Sequence, residues 1–153
     1  SDYSSKLSDT VFVICGSVGK TTFQSLVTDK LSKHVKLLGY VSKRELRALY
    51  QIASICIYPS FYEGFGLPIL EAMASNCPIL VSNIPVHREL IENNDLAFNP
   101  YSISDLMEKI DNLRKLSKTK LANLISHNFQ FSKKYTWEKT AKQTLSVFKY
   151  YGS

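Results

Sequence analysis

The chain has 153 residues, 44% of them hydrophobic and 21% charged, with a formal net charge of +6. That length and balance suit one folded domain with a proper core and exclude a disordered segment. No apolar run approaches the roughly 20 residues that span a bilayer, and the opening SDYSSKLSD has no signal-peptide pattern. The lysines are scattered and form no block with interleaved aromatics, so a nucleic-acid partner is not expected. Cys15, Cys56 and Cys77 are odd in number and far apart, which points to reduced thiols in a cytoplasmic protein. The three histidines, His34, His87 and His127, are isolated and lack metal-ligand spacing, so no metal is expected.

Short apolar runs alternate with helical patterns along the chain. VFVIC (11–15) reads as a buried strand, and Phe23, Leu26, Val27 and Leu31 follow it at helical spacing. Between them lies CGSVGKTT (15–22), which ends like a phosphate-binding loop. The leading glycine of G-x-x-x-x-G-K-[ST] would fall at residue 14, which is Ile14 inside the strand. The turn from Gly16 to Gly19 is too short to wrap a phosphate, and a glycine turn with a threonine N-cap is the favoured reading. VKLLG (35–39) is the next strand. SKRE (42–45) has the form of a capping box opening a helix whose apolar face is Leu46, Leu49, Tyr50 and Ala53.

SICIYPS (54–60) reads as a strand ended by Pro59. LPILEAMASN (67–76) reads as a helix with Pro68 in its first turn and Asn76 as a left-handed cap. PILVS (78–82) and LAF (96–98) are two further strands, separated by a helix near residues 85–92, and everything from Ser102 onward is helical. Trp137, Ala141, Leu145 and Phe148 form an apolar stripe on the last helix, more in keeping with core packing than with a membrane contact. Lys133, Lys134, Lys139, Lys142 and Lys149 leave the membrane contact open. The alternation implies an α/β fold: a Rossmann-like parallel sheet of about five strands flanked by helices, with a helical C-terminal region.

In such sheets ligands bind beyond the carboxyl ends of the strands, where helix N-termini offer free N–H groups. PSFYEGFGLPILEAMA (59–74) is the strongest candidate. Gly64 and Gly66 let the backbone bend and approach a ligand, Glu63 precedes the turn, and Glu71 lies in the helix eight positions later. The glycines could equally make only a tight turn, and Glu71 could serve only the helix; the combination of strand, turn and helix favours a binding site.

The stretch PSFYEGFGLPILEAMASNCPILVSNIPVHREL (59–90) resembles the donor-binding segment of the retaining, GT-B fold, family 4 glycosyltransferases. The likeness extends to LLGYVSKRELRALYQIA (37–53), FNPYSISDL and YTWEKTA, and so covers nearly the whole chain from Val11. It implies transfer of a hexose from a GDP- or UDP-sugar to a glycan or lipid-linked acceptor with retention, without metal or other cofactor. Glu63 would be the catalytic carboxylate on the sugar hydroxyls and Glu71 would hold the ribose. Backbone N–H groups around Gly64, Phe65, Gly66 and Leu67 would meet sugar and diphosphate, Tyr40 and Val41 would border the base, and the Gly16 turn would lie near the pocket.

The resemblance also sets expectations about extent. Residues 1–10 would be a lead segment and 11–153 a nucleotide-sugar-binding GT-B C-terminal domain. The acceptor-binding domain, and a strand and helix carrying a basic pair, would lie outside the sequence. Strands 11–15 and 54–58 should then pair directly or leave edges unpaired, and the chain alone should not transfer sugar. A catalytically inactive nucleotide-sugar-binding or regulatory module is the alternative. Location is expected to be cytoplasmic, possible contact with the inner membrane face being peripheral.

Overall fold

The computed structural model describes residues 10–16 and 32–152. The helix expected over Phe23 to Leu31, its threonine cap and residues 1–9 of the lead segment lie outside the described residues. The chain divides into two compact units, one up to Leu46 and one from Arg47.

In the first unit, strands β1 (Phe12–Cys15) and β2 (Val35–Gly39) pair in parallel, with Phe12 opposite Val35 and Ile14 opposite Leu37. The expectation that VFVIC is buried is corrected: Val13 is 43% exposed and Ile14 38%. A run of apolar residues in a strand marks surface that gains by being covered, and here the described residues cover it only in part. The strands end in two glycine turns joined to each other. Gly16 has φ 123° and Gly39 φ 67°, and the Gly16 N–H donates to the Gly39 carbonyl at 2.8 Å. The capping box is present as expected. The Ser42 N–H and hydroxyl both donate to Glu45 Oε2, at 2.7 and 2.6 Å, while the Glu45 N–H reaches back to Ser42 Oγ at 3.3 Å. It opens helix α1 (Lys43–Ile52), which runs across the division between the units.

The second unit holds the core. Strands β3 (Cys56–Tyr58), β4 (Ile79–Ser82) and β5 (Ala97–Phe98) form a parallel sheet in the order β3-β4-β5. The expected parallel five strands are therefore present among the described residues, yet in two ladders of two and three, with β1 not hydrogen-bonded to β3. Every residue of β4 is buried, as a central strand covered on both faces demands. Helices α2 (Leu67–Ala74), α3 (Pro85–Leu90), α4 (Ile103–Arg114) and α5 (Lys118–Ser132) follow. Ile69, Met73, Ile79, Leu80, Val81, Leu90, Leu96 and Phe98 make one cluster with Ile110, Leu113 and Phe131. Burying each aliphatic side chain of that size contributes about 1.5–3 kcal/mol relative to exposure, so this cluster dominates the stability of the unit. Tyr50, Ala53 and Ile55 pack against it from the end of α1 and the strand that follows.

Local caps close the helix ends. Asn76 has φ 60° and closes α2 in the left-handed region, as expected of its place. Ser102, Ser117 and Thr136 cap α4, α5 and α6 (Trp137–Tyr151) with side-chain oxygens. The stripe on α6 is a correction: Trp137 is 78% exposed, Leu145 53% and Phe148 68%. These side chains line an open groove of about 420 Å³ with Thr140, Ala141 and Thr144. No described helix is long and apolar enough to cross a membrane.

Candidate functional site

The carboxyl end of β3 sets the site. After Tyr58 the chain leaves the sheet at Pro59, turns through Ser60–Gly64 and enters α2 at Leu67. The turn folds Glu63 back onto the strand end. Its Oε1 accepts from the Tyr58 hydroxyl at 2.9 Å and from the Ser60 hydroxyl at 2.7 Å. These two bonds, Ser60 first, hold the Glu63 carboxyl below the usual carboxylate range, because hydrogen bonds to the charged form favour it. Tyr58 responds in the opposite sense. Partial burial and then the neighbouring carboxylate push its phenol up to about 12. At neutral pH the pair is a phenol and a carboxylate.

The two glycines of the turn differ. Gly66 sits at φ 100° as the residue before α2. Its left-handed backbone favours glycine, and a Cβ there would come within 3.1 Å of both Ile69 Cδ1 and Leu90 Cδ1, which would have to give by a few tenths of an ångström. Gly64 has no such constraint, and a Cβ there would meet nothing within 4 Å. Its backbone borders open space, which is where a bound molecule would have to come. The first turn of α2 offers less than its length suggests. Pro68 has no N–H, and the Ile69 N–H is taken by the Gly66 carbonyl at 3.0 Å. That leaves the Leu67 N–H, at the positive end of the helix dipole, as the donor for an anion. Phe65 and Leu67 are exposed beside it, and Phe65 meets Tyr135 edge-on with ring centroids 5.7 Å apart.

Glu71 is exposed on the outer face of α2, whose inner face, Ile69, Leu70, Ala72 and Met73, is buried. Its carboxylate makes no hydrogen bond or ion pair among the described residues and adds to the burial that pushes the Tyr50 phenol up. Gly16, Tyr40 and Val41 belong to the first unit and Glu63, Gly64, Phe65, Gly66, Leu67 and Glu71 to the second. Tyr40, just past the Gly39 turn, is 91% exposed, open for a flat ligand to lie on.

The sequence reading missed the floor of the site. His87, in α3, is fully buried and its Nδ1 lies 3.0 Å from the Ser82 carbonyl. A carbonyl only accepts, so Nδ1 carries the proton and Nε2 is left as a buried acceptor without a partner. Burial lowers the His87 pKa and keeps the ring neutral. The ring lies 5.5 Å from that of Tyr58, and the Ser82 hydroxyl donates to the Tyr58 carbonyl at 3.3 Å. The other two histidines have partners elsewhere. His34 Nδ1 meets the Thr10 carbonyl at 3.2 Å, and exposed His127 meets Glu92 at 2.7 Å.

A carboxylate at the carboxyl end of a parallel strand, beside a glycine-led helix N-terminus, is the arrangement of a nucleotide-ligand site in a Rossmann-like sheet. Residues 2–130 match the family described as Glycosyl transferases group 1. The chain belongs to that family, and its fold is that of a GT-B C-terminal domain. It is 40% identical over 108 residues to the O-antigen chain mannosyltransferase RfbU of Salmonella typhimurium, a match covering 69% of this chain and 31% of the relative. The O-antigen chain mannosyltransferase B of Escherichia coli is 34% identical over 116 residues, 75% of this chain and 30% of the relative. A glycosyltransferase crystal structure from Rickettsia africae superposes with a TM-score of 0.78 at 23% identity, covering 92% of this chain and 40% of that one. The matches thus span about a third of the length of these two curated relatives.

Proposed function

We propose that this chain is the donor-binding part of a retaining mannosyltransferase that uses a nucleoside diphosphate sugar. The observation that carries the reading is the ionised Glu63 carboxylate at the end of β3, next to the free Leu67 N–H and the open Gly64 backbone. A carboxylate is an acceptor only, so it selects ligand hydroxyls, of which a sugar has several. The Leu67 N–H and helix dipole favour a diphosphate, and exposed Glu71 is an acceptor for the ribose hydroxyls. Gly16, Tyr40 and Val41 are proposed to border the base. Mannose is favoured over other hexoses by the mannosyltransferase relatives. No metal enters the proposal; backbone N–H groups and cationic side chains would carry the departing diphosphate. The acceptor, a glycan or lipid-linked saccharide, is assigned to the two-thirds of the relatives that the matches do not cover.

Catalysis requires contacts that strengthen as the glycosidic bond breaks. Glu63, on the sugar itself, is the group placed to make them, whereas Glu71 would bind ground state and transition state alike. Titrating the chain calorimetrically with GDP-mannose, UDP-glucose, GDP, UDP and ATP tests the reading. Sugar nucleotides should bind ahead of ATP, and a preference for ATP would sink it. A peripheral membrane role is a second proposal, favoured by exposed Trp137, Leu145 and Phe148 next to Lys139, Lys142 and Lys149 on α6. It predicts flotation with phosphatidylglycerol vesicles, and absence of flotation at low salt removes it.

A further inference from the structure

We infer that Tyr58 and Ser60 are positioning residues for Glu63, occupying one carboxylate oxygen so that only the other is presented to the donor sugar. The inference rests on the donor-binding reading above and goes beyond it by assigning the groups that aim the carboxylate.

The geometry is specific. Oε1 receives two hydroxyl donors, at 2.9 Å from Tyr58 and 2.7 Å from Ser60, which account for both of its lone-pair directions. Among the described residues no group donates to Oε2. A glutamate ordinarily rotates about three side-chain bonds; this half-buried one is held at one oxygen by two groups of different origin. Tyr58 belongs to the strand and Ser60 to the turn, so the carboxylate plane is tied to both. The strand end is itself braced. The Tyr58 carbonyl accepts from Ser82 on β4, and its ring lies against the fully buried His87 imidazole, which is anchored to the Ser82 carbonyl. Tyr58 therefore brings a rigid β3–β4–α3 corner to bear on a side chain that would otherwise wander.

The ordinary alternative is that the Tyr58 hydroxyl merely satisfies itself on the nearest acceptor. The two differ in what they predict for the ligand. If the bonds aim Oε2, removing either donor must weaken sugar binding and move its pH dependence. If they serve only Tyr58, donor binding is indifferent to them.

The test uses the whole chain with ¹³C-labelled glutamate carboxyls and GDP-mannose as probe, comparing wild type with Tyr58→Phe, Ser60→Ala and Glu63→Gln. Tyr58→Phe keeps the ring against His87, and Ser60→Ala alters the turn without touching the strand, so one variant remains informative if the other is unstable. In each, the Glu63 carboxyl should titrate higher than in wild type, a donor to its charged form having been removed. GDP-mannose should bind about tenfold more weakly, with the acid limb of the binding profile moved up in step with the Glu63 titration. An unmoved Glu63 titration in both variants overturns the inference. So does wild-type binding and pH profile in both variants when Glu63→Gln is impaired. Wild-type binding by Glu63→Gln itself would instead overturn the donor-binding reading, and the presented oxygen with it.

Discussion

Strands β1 and β4 are four residues each, FVIC and ILVS, and β1 is if anything the more apolar, yet every residue of β4 is buried while Val13 and Ile14 on β1 are more than a third exposed. The difference lies in neighbours. β4 has a strand on either side and helices against its faces, and β1 has one hydrogen-bonded partner among the described residues. An apolar run therefore states a need for cover, and only the assembled elements say whether it is met. The same contrast holds between α2, whose inner face is closed, and α6, whose stripe is open.

Substitution in the two strands should break that comparison most visibly. Leu80→Ala, at a fully buried position, is expected to cost about 2–5 kcal/mol in urea denaturation, as large-to-small changes in closed cores do. Ile14→Ala should cost under about 1 kcal/mol, because much of its side chain is already in water. Equal losses would mean that β1 is covered in solution. The two turn glycines sharpen the contrast at the site. Gly66→Ala should destabilise by about 1–3 kcal/mol through its left-handed backbone and its contacts with Ile69 and Leu90. Gly64→Ala should leave stability within about 0.5 kcal/mol while weakening GDP-mannose binding, its Cβ filling space a ligand needs.

The two glutamates should separate as well. Glu71→Gln is expected to weaken donor binding by about 1–3 kcal/mol for a lost hydrogen bond to a charged acceptor, and Glu63→Gln to lower turnover in the full enzyme more than it lowers affinity. Reversed behaviour in steady-state kinetics would exchange their roles. The pH dependence follows from the lowered Glu63 pKa. A carboxyl whose folded pKa is depressed contributes stability above its unfolded value, and the contribution is lost as pH falls through the folded one. Donor affinity should accordingly be flat across neutral pH and fall only below the usual carboxylate range. The smallest effect belongs to the surface. Lys142 pairs with Glu138 at 2.7 Å one turn apart on α6, both well exposed, and Lys142→Ala should change thermal stability by no more than about 0.5 kcal/mol.

Much of the fold is legible in the sequence because its signals are local. The Ser42–Glu45 box, the Asn76 cap and the alternation of strand and helix each depend on a few adjacent residues. What escaped depends on residues far apart in the chain. The division of the strands into two ladders, the exposure of β1 and the open stripe on α6 are properties of packing partners, which no periodicity reveals. At the site, Glu63, Gly66 and Leu67 stand in one recognisable run of the sequence. The part played by Tyr58, Ser60 and His87 was not seen. Two hydroxyl side chains flanking a glutamate, in YPSFYEG, were the available signal, but their convergence on one oxygen requires the turn that folds Glu63 back. His87, five residues past the end of β4, needed the register of the sheet.

Helix α2 is eight residues long, about 12 Å at 1.5 Å per residue, and a left-handed residue stands beyond each end, Gly66 before and Asn76 after. Its C-terminus is further stitched by the Asn76 N–H to the Met73 carbonyl and the Cys77 N–H to the Ala72 carbonyl, both at 3.0 Å. The helix therefore behaves as a strut of fixed length between the turn and the start of β4. A molecule pressing on Leu67 loads that strut along its axis, and the load is delivered to Cys77 and Pro78, where the central strand begins. Occupancy of the turn should thus be audible at the opposite end of the sheet, as slowed amide exchange where β4 begins, without any segment changing shape.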